Sequence, residues 1–504
     1  VELCFGEKEG KIMALIRVSD LSFTYDGSCD EIFNHVNFQI DTRWRLGLIG
    51  RNGRGKTTFL NLLLGKYEFQ GRIWADVKFQ YFPYPVGNKN RDTVEVFREI
   101  CPDVMDWEIS CELHQLDMED SVLSRPFGTL SNGEQTRVLL AAMFLVPDGF
   151  LLIDEPTNHL DVDGRKAVQE YLSRKEGFIL VSHDRALLDA CVDHILSINR
   201  TNIQVQKGNF SSWRQNKERR DHFEFGQNAR LKRDIAQLTT AAKRSKRWSD
   251  QVERSKIGAK ISGVKADKGH IGRQAAKMMK RSKNIEARQK SAIVEKSKLL
   301  KDIETAESLK MYPMEYHHST LLSLQELSIR YGAQTACEHV TFTVERGQRV
   351  VLRGKNGSGK SSVLKVICGE PLSYDGILQI SRGIKISYVP QELSFLRGPL
   401  SDYADKRGIE ESLLKSVLWK LDFSRAQMDG DMADLSDGQK RKVLLAQSIC
   451  EPAHLYIWDE PLNYIDVLSR EQIEDVILDY RPTLLVVEHD ETFLSKIATK
   501  TVWL

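Results

Sequence analysis

"GRNGRGKTT" (Gly50–Thr58) follows the strand-like run "RLGLIG" (Arg45–Gly50) and leads into the apolar run "FLNLLL" (Phe59–Leu64). "GKNGSGKSS" (Gly354–Ser362) repeats that reading in a matching context. A glycine, four residues and Gly-Lys-Ser/Thr make a phosphate-binding loop. The glycines let backbone N–H groups turn inward onto phosphate oxygens. The helix N-terminus behind the loop adds a favourable dipole. Gly50, Asn52, Gly53, Gly55, Lys56, Thr57 and Thr58 form the first cradle. Gly354, Asn356, Gly357, Gly359, Lys360, Ser361 and Ser362 form the second. In each, the lysine reaches the outer phosphates and the first hydroxyl (Thr57, Ser361) binds Mg²⁺.

Working outward, the whole neighbourhood of the loop is written twice. Tyr25 matches Tyr331, and "YFPY" ending at Tyr84 matches "YVPQ" ending at Gln391. "LSNGEQ" (Leu130–Gln135) matches "LSDGQK" (Leu435–Lys440). Asp154-Glu155 matches Asp459-Glu460, and His183 matches His489. All six landmarks keep one order and lie 304 to 307 residues apart. They mark a duplicated domain, read as residues 13–208 and 318–504. "FLLIDEP" and "GFILVSHD" have the short continuous apolar form of buried parallel strands. Each half therefore reads as an α/β domain with its loops at the strand C-termini.

The 504 residues suit two to four domains. The net charge is only +2, but residues 211–300 hold 25 Lys/Arg against 9 Asp/Glu, a local +16. A basic middle between acidic flanks suits a polyanionic partner. The eight cysteines are scattered without a C-x-x-C, which argues against a zinc or redox site and for a reduced, cytoplasmic setting. "VLLAAMFLV" (Val138–Val146) is about the longest apolar run, far short of the roughly 18 residues of a membrane span. Residues 1–12 read as a leader ahead of Met13, outside the fold.

The phosphate loop, the "LSxGx" signature, the "DEP" strand and the "HD" pair together resemble the ATP-binding cassette ATPases. The resemblance implies two tandem ATP-binding cassettes joined by a long α-helical hairpin linker, with ATP and Mg²⁺ as ligands. It also implies that two cassettes sandwich two ATP molecules, each between one phosphate loop and the other cassette's signature. One chain would thus be a complete monomeric unit. In the first site, Asp154 would position the metal, Glu155 the attacking water and His183 the γ-phosphate, opposite Ser436 and Gly438. In the second, Asp459, Glu460 and His489 repeat those roles, opposite Ser131 and Gly133. Tyr25 and Tyr331 would stack on adenine. Gln391 would reach the metal, where the first half has Tyr84, which cannot serve as that ligand. Two hydrolytic sites of unequal rate are expected.

The middle segment, 209–317, reads as a basic helical hairpin. Ile235, Leu238 and Ala242 fall at helical spacing, and Met278, Ile285, Ala292 and Leu299 recur every seven residues. A first leg from Trp213 to Asp250 would reach about 55 Å. The tip, Ile257–Gly272, has four glycines and no helical period. Lys243, Arg244, Lys246 and Arg247 on the first leg suit a phosphate backbone.

This arrangement resembles the ABC-F ATPases, and "WDEPLNYID" with "MKRSKNIEAR" (Met279–Arg288) is similar to their antibiotic-resistance branch of Lsa and Vga type. The resemblance implies a cytoplasmic partner, the 70S ribosome, with its RNA and tRNA in or near the exit site, and no membrane. It implies protection against lincosamides, pleuromutilins and streptogramin A. Ile261 and Val264 at the tip would contact bases or the drug pocket. The competing readings are a housekeeping ABC-F translation factor, the ATPase pair of a membrane transporter, and a DNA-repair or chromosome-type cassette ATPase.

Overall fold

The computed structural model of the chain describes residues 15–25, 31–158, 160–199, 203–258, 280, 284, 287, 288, 308–332, 334–355 and 357–504. Residues 1–12, Asn356, Ile261 and Val264 lie outside them, as do the heptad positions Met278, Ile285, Ala292 and Leu299.

Each half pairs a small antiparallel sheet with a larger, mostly parallel one. In the first half, β1 (Leu15–Thr24) lies between β2 (Glu31–Asp41) and β4 (Gln70–Trp74). The larger sheet draws on β3 (Arg45–Gly50), β5 (Lys78–Phe82), β6 (Gly149–Asp154), β7 (Phe178–Val181), β8 (His194–Ile198) and β9 (Ile203–Lys207). Their order is β5-β6-β7-β3-β8-β9, all parallel except for β9.

The second half repeats the plan. β10 (Thr320–Tyr331) lies between β11 (Gln334–Glu345) and β13 (Ser373–Ile380). The parallel sheet uses β12 (Arg349–Arg353), β14 (Ile386–Val389), β15 (Leu455–Asp459), β16 (Leu484–Val487) and β17 (Lys500–Trp503), in the order β14-β15-β16-β12-β17.

The apolar runs explain the sheets. All four residues of β7, and all four of β16, are buried, because helices cover both faces. On one face of the first sheet, Leu46 and Leu48 of β3 pack on Phe59, Leu60 and Leu62 of the helix Lys56–Leu63. On the other, Leu151, Ile153 and Leu180 meet Val138 and Leu140 of the helix Asn132–Phe144. Each such side chain contributes about 1.5–3 kcal/mol by leaving water. "VLLAAMFLV" is thus a core helix. Among the described residues, no helix is long and apolar enough to cross a membrane.

The chain divides into two compact units. Residues 1–213 and 306–504, holding both duplicated halves, form one, and residues 214–305 form the other. The halves share core, since Val467 of the second packs into the first half's cluster.

The helix Phe210–Gly258 has 49 residues and carries Lys243, Arg244, Lys246 and Arg247 along its backbone. That is longer than the leg expected from sequence, about Trp213 to Asp250. Gln251–Ile257 contain no proline or glycine, so the helix continues to Gly258. On the far side of the tip, Lys280, Asn284, Ala287 and Arg288 are helical.

Candidate nucleotide sites

The chemistry-bearing residues gather at the carboxyl edges of the parallel strands. The first phosphate loop follows β3, Asp154 ends β6, His183 follows β7 and Tyr84 follows β5. Position in the duplicated half predicts the same set after β12, β15, β16 and β14, and it is there.

Glycine is required inside the loops. Gly55 (φ 88°) and Gly359 (φ 86°) stand in the left-handed region just before the helices. A Cβ on Gly55 would lie 2.5 Å from Ile32 Cγ2, and one on Gly359 2.7 Å from the Ala336 carbonyl oxygen. Each loop lysine curls over its own loop. Lys56 Nζ donates to the carbonyls of Gly50 (2.8 Å) and Arg51 (3.3 Å), and to Asn52 Oδ1 (3.3 Å). Lys360 Nζ donates to Gly354 (2.9 Å) and Lys355 (2.8 Å). Burial pulls both ammonium groups below their ordinary pKa.

The carboxylate pairs follow. Glu155 (φ 50°) and Glu460 (φ 48°) both adopt the left-handed conformation, and their N–H groups donate to Val181 and Val487 at 2.9 Å. A non-glycine residue pays for that backbone, and the duplication repeats it at the turn that follows each Asp-ended strand. Asp459 has both carboxylate oxygens buried and short of a well-formed hydrogen bond among the described residues, and burial pushes its pKa up to about 6 although the neighbouring Ser361 hydroxyl opposes the shift. Asp154 Oδ2 accepts from the Tyr81 hydroxyl (2.9 Å), with Thr57 Oγ1 at 3.5 Å. Hydroxyls beside orphaned carboxylate oxygens are the donor set that Mg²⁺ takes, so these residues fit that ion.

The two glutamates have different surroundings. Glu460 Oε2 accepts from Gln391 Nε2 (2.8 Å) and Asn463 Nδ2 (2.6 Å), and Oε1 lies 3.8 Å from His489 Nε2. Burial opposes its charge, but His489 and Gln391 outweigh it and hold the carboxyl below its ordinary pKa. Glu155 Oε1 is buried 3.4 Å from His183 Nε2 and accepts no hydrogen bond among the described residues. Burial, and then the charge of Asp154, push Glu155 up to about 8. Burial also drops His183 well below its ordinary value, so its imidazole is neutral. The Tyr84 hydroxyl donates to Glu99 at 3.2 Å.

Each loop faces the other half's signature. A cavity of about 820 Å³ is lined by Lys360, Ser361, Gln391, Glu460 and His489 of the second half and by Ser131, Asn132 and Gly133 of the first. Tyr331 lines it too, with its hydroxyl 3.2 Å from Ser362 Oγ. At the first loop, Asn52 Nδ2 donates to the Tyr464 carbonyl at 2.7 Å, and a Cβ on Gly438 would lie 2.7 Å from Asn52 Nδ2. Tyr25 sits there with its hydroxyl 2.8 Å from Thr58 Oγ1. Ser131 and Ser436 cap the signature helices, accepting from Glu134 and Gln439 N–H groups. That is the S-x-x-E/Q capping box.

Sequence reading missed several residues of this cleft. Asp466 accepts from Lys442 Nζ at 2.6 Å, both buried. Although burial opposes its charge, Lys442 and Lys56 hold Asp466 well below the usual carboxylate range. Asn463 and Asp466 lie in the repeated "DEPxNxxD" phrase, matching Asn158 and Asp161, so the duplication carried their signal. Arg54 Nη2 binds Asp422 Oδ1 across the halves at 2.8 Å, a pair that no repeat announces.

The family model described as "ABC transporter" matches residues 33–158 and 337–463. "Ribosome protection protein VmlR" of Bacillus subtilis (strain 168) is 28% identical over 96% of this chain and 85% of its own length. The protein YdiF of the same strain is 26% identical over 97% and 80%. Among solved structures, the complex of archaeal ribosomal stalk protein aP1 and archaeal ribosome recycling factor aABCE1 matches with a TM-score of 0.59. It covers 96% of this chain and 87% of its own at 18% identity, a likeness of fold.

Proposed function

The chain belongs to the ABC transporter family and is an ATPase with two ATP-binding cassettes; we propose that it is an ABC-F protein that works on the ribosome. The single observation that carries this reading is the basic helix Phe210–Gly258, set in sequence between two cassettes that complete each other's sites. A transporter's ATPase pair explains the cassettes and leaves a +16 segment without a role. Cations along a helix suit RNA phosphates.

ATP lies in each cleft between a phosphate loop and the opposite signature, with Tyr25 or Tyr331 against adenine. Thr57 with Asp154, and Ser361 with Asp459 and Gln391, would hold Mg²⁺, which neutralises charge on the transferred phosphoryl group. Glu460 orients the attacking water, and Glu155 does so in the first site. Binding closes the cassettes and hydrolysis reopens them. In the cytoplasm, the hairpin enters the exit region of the 70S ribosome and protects it from drugs acting at the peptidyl-transferase centre. Similarity to a ribosome protection protein supports this finer reading over a housekeeping factor.

The test uses Glu155→Gln with Glu460→Gln, which should bind ATP, fail to turn it over and co-sediment with ribosomes. Co-sedimentation with membranes would point to the transporter reading. Replacing 259–268 with a glycine-serine turn should keep ATPase activity and ribosome binding but remove the rise in inhibitory drug concentrations. Unchanged protection by that variant would rule out the tip.

A further inference from the structure

Arg441 stands five residues after the signature serine Ser436, in the helix Asp437–Cys450, and is 2% exposed. Its Nη1 donates to the Pro390 carbonyl at 2.6 Å and its Nη2 to the Gln391 carbonyl at 2.8 Å. A rigid guanidinium fork spans two successive carbonyls in a way that an ammonium cannot. The Gln391 side chain then donates to Glu460 Oε2 at 2.8 Å. A continuous set of contacts therefore runs from the signature helix, through the backbone of one loop, to the carboxylate that faces the cavity.

The first half lacks this arrangement. Thr136 occupies the matching position and turns its hydroxyl back to the Asn132 carbonyl at 2.9 Å. Tyr84 replaces Gln391 and points at Glu99. The second half also has buried Glu488 where the first has Ser182. Glu488 accepts from the N–H groups of Leu462 (3.0 Å) and His489 (2.7 Å). A buried cation is expensive unless its surroundings compensate it. Here a buried anion accompanies it, and both positions are neutral in the other half.

We infer that Arg441 is a positioning residue for ATP hydrolysis at the second site, holding the Gln391 backbone so that its amide orients Glu460. The inference rests on the reading that Glu460 serves the attacking water. It assigns the difference between the two sites to a residue outside the duplicated loop, signature and carboxylate phrases.

The experiment uses the full chain carrying Glu155→Gln, so that turnover reports the second site. Arg441→Met should lower kcat about tenfold, the effect of losing a charge-assisted hydrogen bond, with KM for ATP changed less than twofold. Arg441→Lys should fall between the two. In a Gln391→Ala background, Arg441→Lys should have no further effect, because residues acting through one contact are not additive. If Glu460→Gln leaves turnover intact, the assignment of Glu460 fails and the inference fails with it. If Glu460→Gln abolishes turnover while both Arg441 variants keep the parent's kcat, the inference alone is overturned. Additive losses for Arg441→Lys and Gln391→Ala overturn it as well. Should Arg441→Met misfold, Arg441→Lys decides: a variant with the parent's melting temperature and the parent's kcat overturns the inference.

Discussion

Arg185 of the first cassette and Glu474 of the second form an ion pair with side chains only 4% and 3% exposed. Lys496 Nζ binds the same carboxylate at 2.7 Å. The positions that the duplication makes equivalent hold Glu491 and Gln169, so the pair exists on one side only. Arg185 follows His183 of the first site, and Glu474 lies on the helix behind Asp466, which faces the first phosphate loop. Arg54 and Asp422 add a second ion pair on that side. The first site is thus clamped by charge, whereas the second is an open cavity.

Removing one partner of a buried pair strands the other charge, at about 3–5 kcal/mol. Glu474→Gln should therefore lower the melting temperature by several degrees. The double variant Arg185→Met/Glu474→Leu should recover most of that loss, since the buried charge of Arg185 goes too and Lys496, with its side chain 39% exposed, can turn to water. A double variant less stable than either single one would contradict this account.

The raised pKa of Glu155 has a definite sign. Its carboxyl keeps a proton in the folded chain up to about pH 8, whereas an unfolded chain releases it near 4.5. Folded protein then binds the extra proton, so stability falls as pH rises from 4.5 to 8. Glu155→Gln resembles the protonated form and escapes that loss. In nucleotide-free melts, the variant should gain on the wild type between pH 5 and 8, and the gap should level off above 8. A gap that stays constant with pH would show that Glu155 is not the group concerned.

Unequal surroundings of the two glutamates should give unequal turnover. Gln391, Asn463 and His489 surround Glu460, while Glu155 Oε1 accepts no hydrogen bond among the described residues and Oε2 takes the His183 N–H at 3.4 Å. Glu460→Gln should therefore remove most of the steady-state ATPase rate near pH 7, at least tenfold, and Glu155→Gln much less. Equal losses, measured by phosphate release, would mean that both sites contribute alike.

The part of this molecule that repeats was the part its sequence could reveal. Glycine spacing, the paired acids and the histidine each carry a backbone or chemical requirement, and the second copy checks the first. The duplicated α/β domains and their phosphate loops followed from that, while the facing of each signature on the other half's loop came from the resemblance to the ATP-binding cassette ATPases. Arg185–Glu474, Arg54–Asp422 and Arg441 were invisible for the opposite reason. Their partners lie far off in sequence, or on a backbone whose path only the fold defines, and each occurs once. The first linker helix outruns its expected end near Asp250 because a charged, aperiodic run from Gln251 to Ile257 gives no hydrophobic cue, although every residue in it tolerates a helix.

Ribosome binding should depend steeply on salt if the basic helix faces RNA. Each phosphate contact releases condensed counterions, and the log–log slope changes by about 0.7–0.9 per contact. Lys243, Arg244, Lys246 and Arg247 lie on one helix within five residues, so several can face one backbone. Replacing all four with glutamine should weaken binding of the ATP-locked double glutamate variant and flatten its salt dependence by about one to three units of slope. The helix should survive, since glutamine is nearly as good a helix former as lysine or arginine. Co-sedimentation across a salt series, with circular dichroism to check helix content, measures both. A variant that binds more weakly with an unchanged slope has lost something other than phosphate contacts, and this leg would then not be the one that meets RNA.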